Sequence, residues 1–241
     1  MAISPAVVST AHREPIASLR HTLFLIFILA FITIHGFHLQ HQMPRLGGGE
    51  AERHRQAVIL AGAIIVEWLL VLYIWSGMKG RAGSFKILIL GSRKSWRGLL
   101  VDVVIAAPFW FLWRQAAIWA WHLVGPSHGP SGPLSLPPEG ALNISLWFAV
   151  SLTAGFAEEL IYRGYLQKQV QAFSGSLTVA VIAQAILFGF GHSYQGMKAV
   201  FVISILGLLY GLLAAWRRNL VPGMVSHAWS DIYAGYVRFL L

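Results

Sequence analysis

Seven apolar runs of spanning length lie near residues 22–39, 57–76, 99–123, 141–157, 177–191, 198–216 and 220–241. In hydrocarbon a segment must satisfy its own backbone N–H and C=O groups, which leaves the helix as the form for such a run. Only 11% of the 241 residues are charged and 56% are hydrophobic, with a mean hydropathy of +0.63. A soluble domain carries about 25% charge. The expected fold is therefore all-α: a polytopic transmembrane helix bundle of about seven spans, multi-pass in a cell membrane. Arg13 and Arg20 precede the first run, but its apolar core is long and no Ala-x-Ala site follows before His35 and His38. That run reads as a retained helix, not a signal peptide.

The net charge of +9 points first to loops facing anionic lipid. The 77–97 stretch carries Lys79, Arg81, Lys86, Arg93, Lys94 and Arg97, as expected of a cytoplasmic loop with the N-terminus inside. No basic aqueous domain is left over to bind nucleic acid. The absence of cysteine excludes disulfides, thiolate zinc sites and a cysteine nucleophile. Residues 124–140 are rich in proline and glycine, so they form an irregular extramembrane loop. It divides N-terminal membrane helices (1–123) from C-terminal helices (141–241), which hold the polar clusters and thus the active site.

The chain has nine acidic residues, and two of them, Glu158 and Glu159, stand together at the end of an apolar run. An ionisable group inside a bilayer costs roughly 2.5–3.5 kcal/mol or more and usually marks function. Glu159 and Arg163 are four apart with the acid first, the favourable order on one helix face. Glu158 lies about 100° away around the helix, so Arg163 cannot easily serve both. Glu159 then reads as a structural group held by Arg163, and Glu158 as the chemically available carboxylate. The plain alternative is that both glutamates stitch helices together.

His192 ends an apolar helix, with Phe188 one turn earlier to wall its ring from lipid. Glu158 and His192 are nearly equidistant from the Ser174-Gly175-Ser176 turn, so a helical hairpin brings them to one depth. A straight helix from 141 to 173 exceeds one membrane thickness, and a tilt, a break or an interfacial half-helix is needed. His227 and Asp231 are again four apart, in a helix opened by Pro222-Gly223. Together these groups can activate water and stabilise a tetrahedral oxyanion, or ligate a divalent metal that does both. Glu67 and Arg114 lie within apolar runs and are expected to pair across helices. Gly207 and Gly211, with Ser204, make a face for close helix packing.

Glu-Glu-x-x-x-Arg at 158–163, Phe-x-x-x-His at 188–192 and His-x-x-x-Asp at 227–231 resemble the three motifs of the CPBP family. These are the CAAX-protease and bacteriocin-processing membrane proteases. Arg163-Gly164-Tyr165-Leu166-Gln167, Gly207-x-x-x-Gly211 and Leu220-Val221-Pro222 are similar too. The resemblance covers about 141–241; residues 1–123 match only in being helical membrane protein. It implies an endopeptidase acting on membrane-associated or CAAX-type peptide substrates. Glu158 and His192 would activate the water, His227 and Asp231 would stabilise the oxyanion, and Glu159 and Arg163 would order the site. Position 231 is often asparagine in that family; an ionised aspartate cannot donate a hydrogen bond, so Asp231 is protonated, ligates metal or orients His227. The family's metal dependence is contested, and His-Glu-x-x-His is absent. Only if the activity needs a divalent ion such as zinc would His192 and His227 be its ligands; no cofactor is otherwise implied. The rival readings are a non-catalytic immunity or assembly factor of the same fold and a small proton-coupled transporter.

Overall fold

A computed structural model describes residues 14–42, 49–78, 85–91, 95–125 and 138–236. Most of the expected 124–140 loop lies outside the described residues, as do Arg13, Lys79, Arg81, Arg93 and Lys94. The described residues contain helices and no strand. In chain order they are α1 (Leu19–Gln42), α2 (Glu50–Met78), the short α3 (Phe85–Leu90), α4 (Trp96–Val124) and α5 (Gly140–Glu158). A π-helical segment (Glu159–Leu166) follows, then α6 (Gln167–Ser174), α7 (Leu177–Gly191), a 3-10 turn (Ser193–Gln195), α8 (Met197–Arg217) and α9 (Val221–Tyr236).

Five helical runs are long and apolar enough to cross a membrane: Leu19–Leu39, Glu50–Met78, Trp96–Val124, Gly140–Ser174 and Met197–Arg217. Of the other two expected spans, the 15-residue α7 rises only about 22 Å against a hydrocarbon core of about 30 Å, and α9 is described for 16 residues, with 237–241 outside the described residues. Each packs one face into the bundle, α7 on α8 and α9 on α5 and α4, and leaves the other exposed, as at Ile182 and Trp229. The outer faces of the long helices are apolar: Phe27, Phe31, Leu69, Val104 and Trp119 are all exposed. Such a surface is at home in lipid and unfavourable in water. The chain is a multi-pass helical membrane protein.

The overlong fourth run resolves into one continuous helical stretch whose α-geometry breaks at Glu159. A π turn adds a residue per turn and recurs at functional sites. Here all eight of its residues are buried, so the widened backbone is enclosed by protein and not by lipid. Gly175, in the left-handed conformation (φ 71°), ends α6, and the Ser176 hydroxyl accepts from Val179 N to start α7. This is the helical hairpin expected at 174–176.

Small residues set the close crossings. A Cβ on Gly155 would lie 2.8 Å from the Cβ and backbone nitrogen of Ala228, which fixes α5 against α9. Gly189 meets Ser204 and Val200, and Gly207 meets Ala185 and Phe188, joining α7 to α8 as the small-residue face implied. Buried polar groups tie the N-terminal helices on. Gln169 of α6 binds Ile16 N, Ala17 O and Thr22 Oγ1. Asp102 of α4 accepts from Arg217 at 2.6 and 2.9 Å and from Asn219 at 2.9 Å. Asn219 in turn accepts from Val221 N, and with Pro222 in the first turn it starts α9 where the sequence places that start.

Candidate active site

Five elements, α5, the π segment, α7, α8 and α9, meet at His227. The π segment brings Glu159 and Arg163, both fully enclosed (0% and 1% exposed), so each charge needs its partner on the spot. Arg163 Nη1 donates to Glu159 Oε1 at 2.9 Å, and its Nη2 reaches Gly207 O at 3.4 Å. The guanidinium lies 4.1 Å from the Phe188 ring centre and 5.1 Å from that of Tyr210, an aromatic sandwich that supplements the ion pair. Arg163 forms no ion pair with Glu158, in agreement with the helical offset.

From α9, His227 presents Nδ1 to the same Glu159 oxygen at 3.0 Å. A carboxylate accepts, so Nδ1 carries the hydrogen and Nε2 is the nitrogen left for chemistry. Nε2 lies 3.6 Å from Glu158 Oε2 and 3.8 Å from Asp231 Oδ2. The ring stacks on Tyr210 at 5.2 Å, with Phe188 edge-on at 5.9 Å. Glu159 is thus both the Arg163 partner and the anchor of His227, a helix stitch and a site group at once. Its second oxygen has no hydrogen-bond partner and lies where a Cβ on Gly223 would approach within 2.8 Å. That is why glycine follows Pro222.

Glu158 is partly open, its side chain 20% exposed, and its Oε2 has no hydrogen-bond partner. Asp231 is more open, at 36%. Trp147 Nε1 of α5 donates to the Asp231 carbonyl at 3.0 Å, and the indole fills the space over Gly235. His192 stands at the end of α7 with Phe188 4.9 Å away, the wall the sequence implies. Its Nδ1 bonds to the Phe188 carbonyl at 2.9 Å, so Nδ1 is the donor and Nε2 the available base nitrogen. The structure thus joins Glu158, Glu159, Arg163, His227 and Asp231 directly; His192 is linked to them through the Phe188 ring.

Metal ligation fits this arrangement poorly. Among the described residues no group of three or more His, Asp or Glu is placed to hold an ion. His192 and His227 each donate from Nδ1 and so could offer only Nε2, and two imidazole nitrogens fall short of the three or four protein ligands a zinc site needs.

Two site features were not read from the sequence. Tyr210, 1% exposed, backs both His227 and Arg163; its place between Gly207 and Gly211, a large polar ring within a small-residue face, was the available signal. The Glu67–Arg114 pair does not form. Arg114 donates to the Tyr233 hydroxyl at 3.3 and 3.4 Å, while Glu67 lies within electrostatic reach of Glu158, Asp231 and His227. The expectation used helix membership alone, and the rotational setting of α2 turns Glu67 toward α5 and α9 instead.

Among family models, one described as Rce1-like, "Type II CAAX prenyl endopeptidase Rce1-like", matches residues 139–233, less than half of the chain but the part that carries the three motifs. No curated protein and no solved structure matches. This match is consistent with the resemblance of the three motifs to the CPBP family of intramembrane proteases.

Proposed function

We propose that this protein is an endopeptidase of the cell membrane that hydrolyses peptide bonds in membrane-associated or CAAX-type substrates, with helices 141–241 as the catalytic part and 1–123 as their membrane support. The observation that carries this reading is the single imidazole of His227, held by Glu159 at 3.0 Å with Glu158 and Asp231 beside its far nitrogen. Glu158 takes a proton from water, with His192 Nε2 as a second acceptor, and the hydroxide oxygen adds to the peptide carbonyl carbon. The carbonyl π pair moves to oxygen, and His227, as an imidazolium donating from Nε2, stabilises that charge. Collapse of the adduct breaks the C–N bond, and the proton held by Glu158 goes to the departing amine.

Asp231 is best read as orienting His227 and balancing its charge. Its carboxylate lies beside Nε2, and an ionised carboxylate cannot itself donate to an oxyanion. Glu159 and Arg163 hold the frame. The test is incubation of purified protein in proteoliposomes with a library of membrane peptides and CAAX-type peptides, with Glu158→Gln as control. Cleavage by wild type and none by the variant is expected. Equal cleavage by both would remove Glu158 from the chemistry. Peptide-independent proton flux in place of cleavage would favour a transporter.

A further inference from the structure

Glu67 lies in the middle of α2, outside the family-matched segment, in a helix whose apolar stretch has a mean hydropathy of 2.5. A glutamate there is costly unless something in the protein receives it. Its expected cation, Arg114, is engaged by Tyr233 through hydrogen bonds and a ring contact at 5.6 Å. Glu67 Oε2 is shielded from solvent and has no hydrogen-bond partner, a condition it shares with Glu158 Oε2. The groups that act on Glu67 electrostatically are Glu158, Asp231 and His227, and Tyr194 after α7 feels Glu67 in turn. The helix α2 packs on α5, with Trp68, the residue next to Glu67, stacked on Phe156 at 5.7 Å.

We propose that Glu67 is a fourth acidic member of the site and a positioning residue, which faces Glu158 from α2 and fixes where that carboxylate points. The positioning role rests on the endopeptidase reading; the placement does not. Two solvent-shielded, donor-less carboxylates within electrostatic reach of each other in a dry interior are drawn together when one proton is shared between them, and they repel when none is. Glu67, carrying that proton, donates toward Glu158 and keeps it beside His227 Nε2. A glutamine at 67 retains a donor of nearly the same reach, whereas alanine removes it.

The absence of cysteine in the chain allows a test of placement that needs no activity. Glu67→Cys combined with Glu158→Cys should be joined by the shortest bifunctional methanethiosulfonate. Ile65→Cys with Glu158→Cys should not, because Ile65 is 60% exposed on the outer face of the same helix. In the peptide assay Glu67→Ala should lower kcat by about 10- to 100-fold with KM little changed, the scale of a misplaced catalytic group. Glu67→Gln should stay within about threefold of wild type. No cross-link, or one equal to that of the Ile65 control, would overturn the proposal. A formed cross-link with wild-type kcat in Glu67→Ala would overturn the positioning role. Equal losses in the Gln and Ala variants would overturn the donor role and leave a carboxylate requirement in its place. If the Glu67→Cys/Glu158→Cys pair forms the cross-link yet wild type cleaves no peptide, the endopeptidase reading fails together with the positioning role, and the placement stands. Should the Ala variant fail to fold, the Gln variant and the cross-link decide the matter.

Discussion

His227 Nδ1 sits 3.0 Å from Glu159 Oε1, the oxygen that also receives Arg163 Nη1 at 2.9 Å. One carboxylate oxygen therefore joins the π segment to α9 and sets the tautomer of the site imidazole. Glu159→Gln removes the charge that both partners face and leaves Arg163 buried without a counter-ion. The expected loss is about 3–5 kcal/mol, read as a lowered unfolding temperature in detergent, together with lost cleavage. A variant as stable as wild type would show that Arg163 is held by its aromatic sandwich alone.

Glu158→Gln separates from it. Glu158 has no donor on Oε2 and is partly open, so the amide fills the same space with little structural consequence but cannot accept the water proton. Cleavage should fall by about 10²–10⁴-fold while the unfolding temperature stays near that of wild type. The double variant with His192→Ala should lose far less than the product of the two single losses, because residues sharing one step fail together. Full multiplicativity in single-turnover rates would place His192 in a different step.

What the sequence made legible were contacts within one helix. Glu159 with Arg163, and His227 with Asp231, are each four residues apart, and both pairs fall where that spacing puts them. The hairpin at 174–176 followed from glycine and serine turn chemistry, and Phe188 beside His192 from one turn of helix. Contacts between helices were not legible, since they depend on how each helix is rotated in the bundle. Arg114 bound to Tyr233 instead of Glu67, Tyr210 under His227, and Asp102 with Arg217 are all of this kind. The π segment was missed for another reason: apolar period alone carries no mark of an i+5 hydrogen bond, although the need for a break was visible in the length of the run. The same length argument sorts the shorter α7 from the spanning helices once its ends are known.

Asp102 offers a stability test remote from the chemistry. It is 2% exposed and takes three hydrogen bonds from Arg217 and Asn219, so it fastens α4 to the turn that begins α9. Asp102→Ala should cost roughly 3 kcal/mol by leaving a buried guanidinium unpaired, with kcat per folded molecule retained. A change in kcat at unchanged stability would mean that this clasp sets the site geometry and not the bundle.

Gly223→Ala probes the site frame from the other side. The added Cβ would come within 2.8 Å of Glu159 Oε2, closer than packed atoms tolerate, and the carboxylate or the first turn of α9 must move. Overpacking of this kind costs about 1–3 kcal/mol. Because the displaced atom belongs to the group that holds His227, cleavage should drop by more than the stability loss explains. Activity equal to wild type would show that the Glu159 carboxylate swings freely, contrary to its complete burial.

Asp231→Asn tests a position where this chain departs from the residue frequent in the family it resembles. The Asp231 carboxylate lies 3.8 Å from His227 Nε2 and is 36% exposed, near enough to orient the ring and open enough to need no buried partner. If its task is orientation and charge balance, asparagine keeps the shape, offers an amide donor to the oxyanion and loses only the charge. Activity within about threefold of wild type is then expected, and Asp231→Ala, with neither acceptor nor donor, should fall by about 10²-fold, the scale of a lost oxyanion group. A metal role predicts otherwise: asparagine is the weaker, neutral ligand, so activity should drop and recover in part with added divalent ion. Measuring chelator sensitivity on wild type and on Asp231→Asn side by side decides between them. Retained, chelator-resistant activity in the asparagine variant ends the metal-ligand role, and wild-type activity in Asp231→Ala removes position 231 from the site altogether.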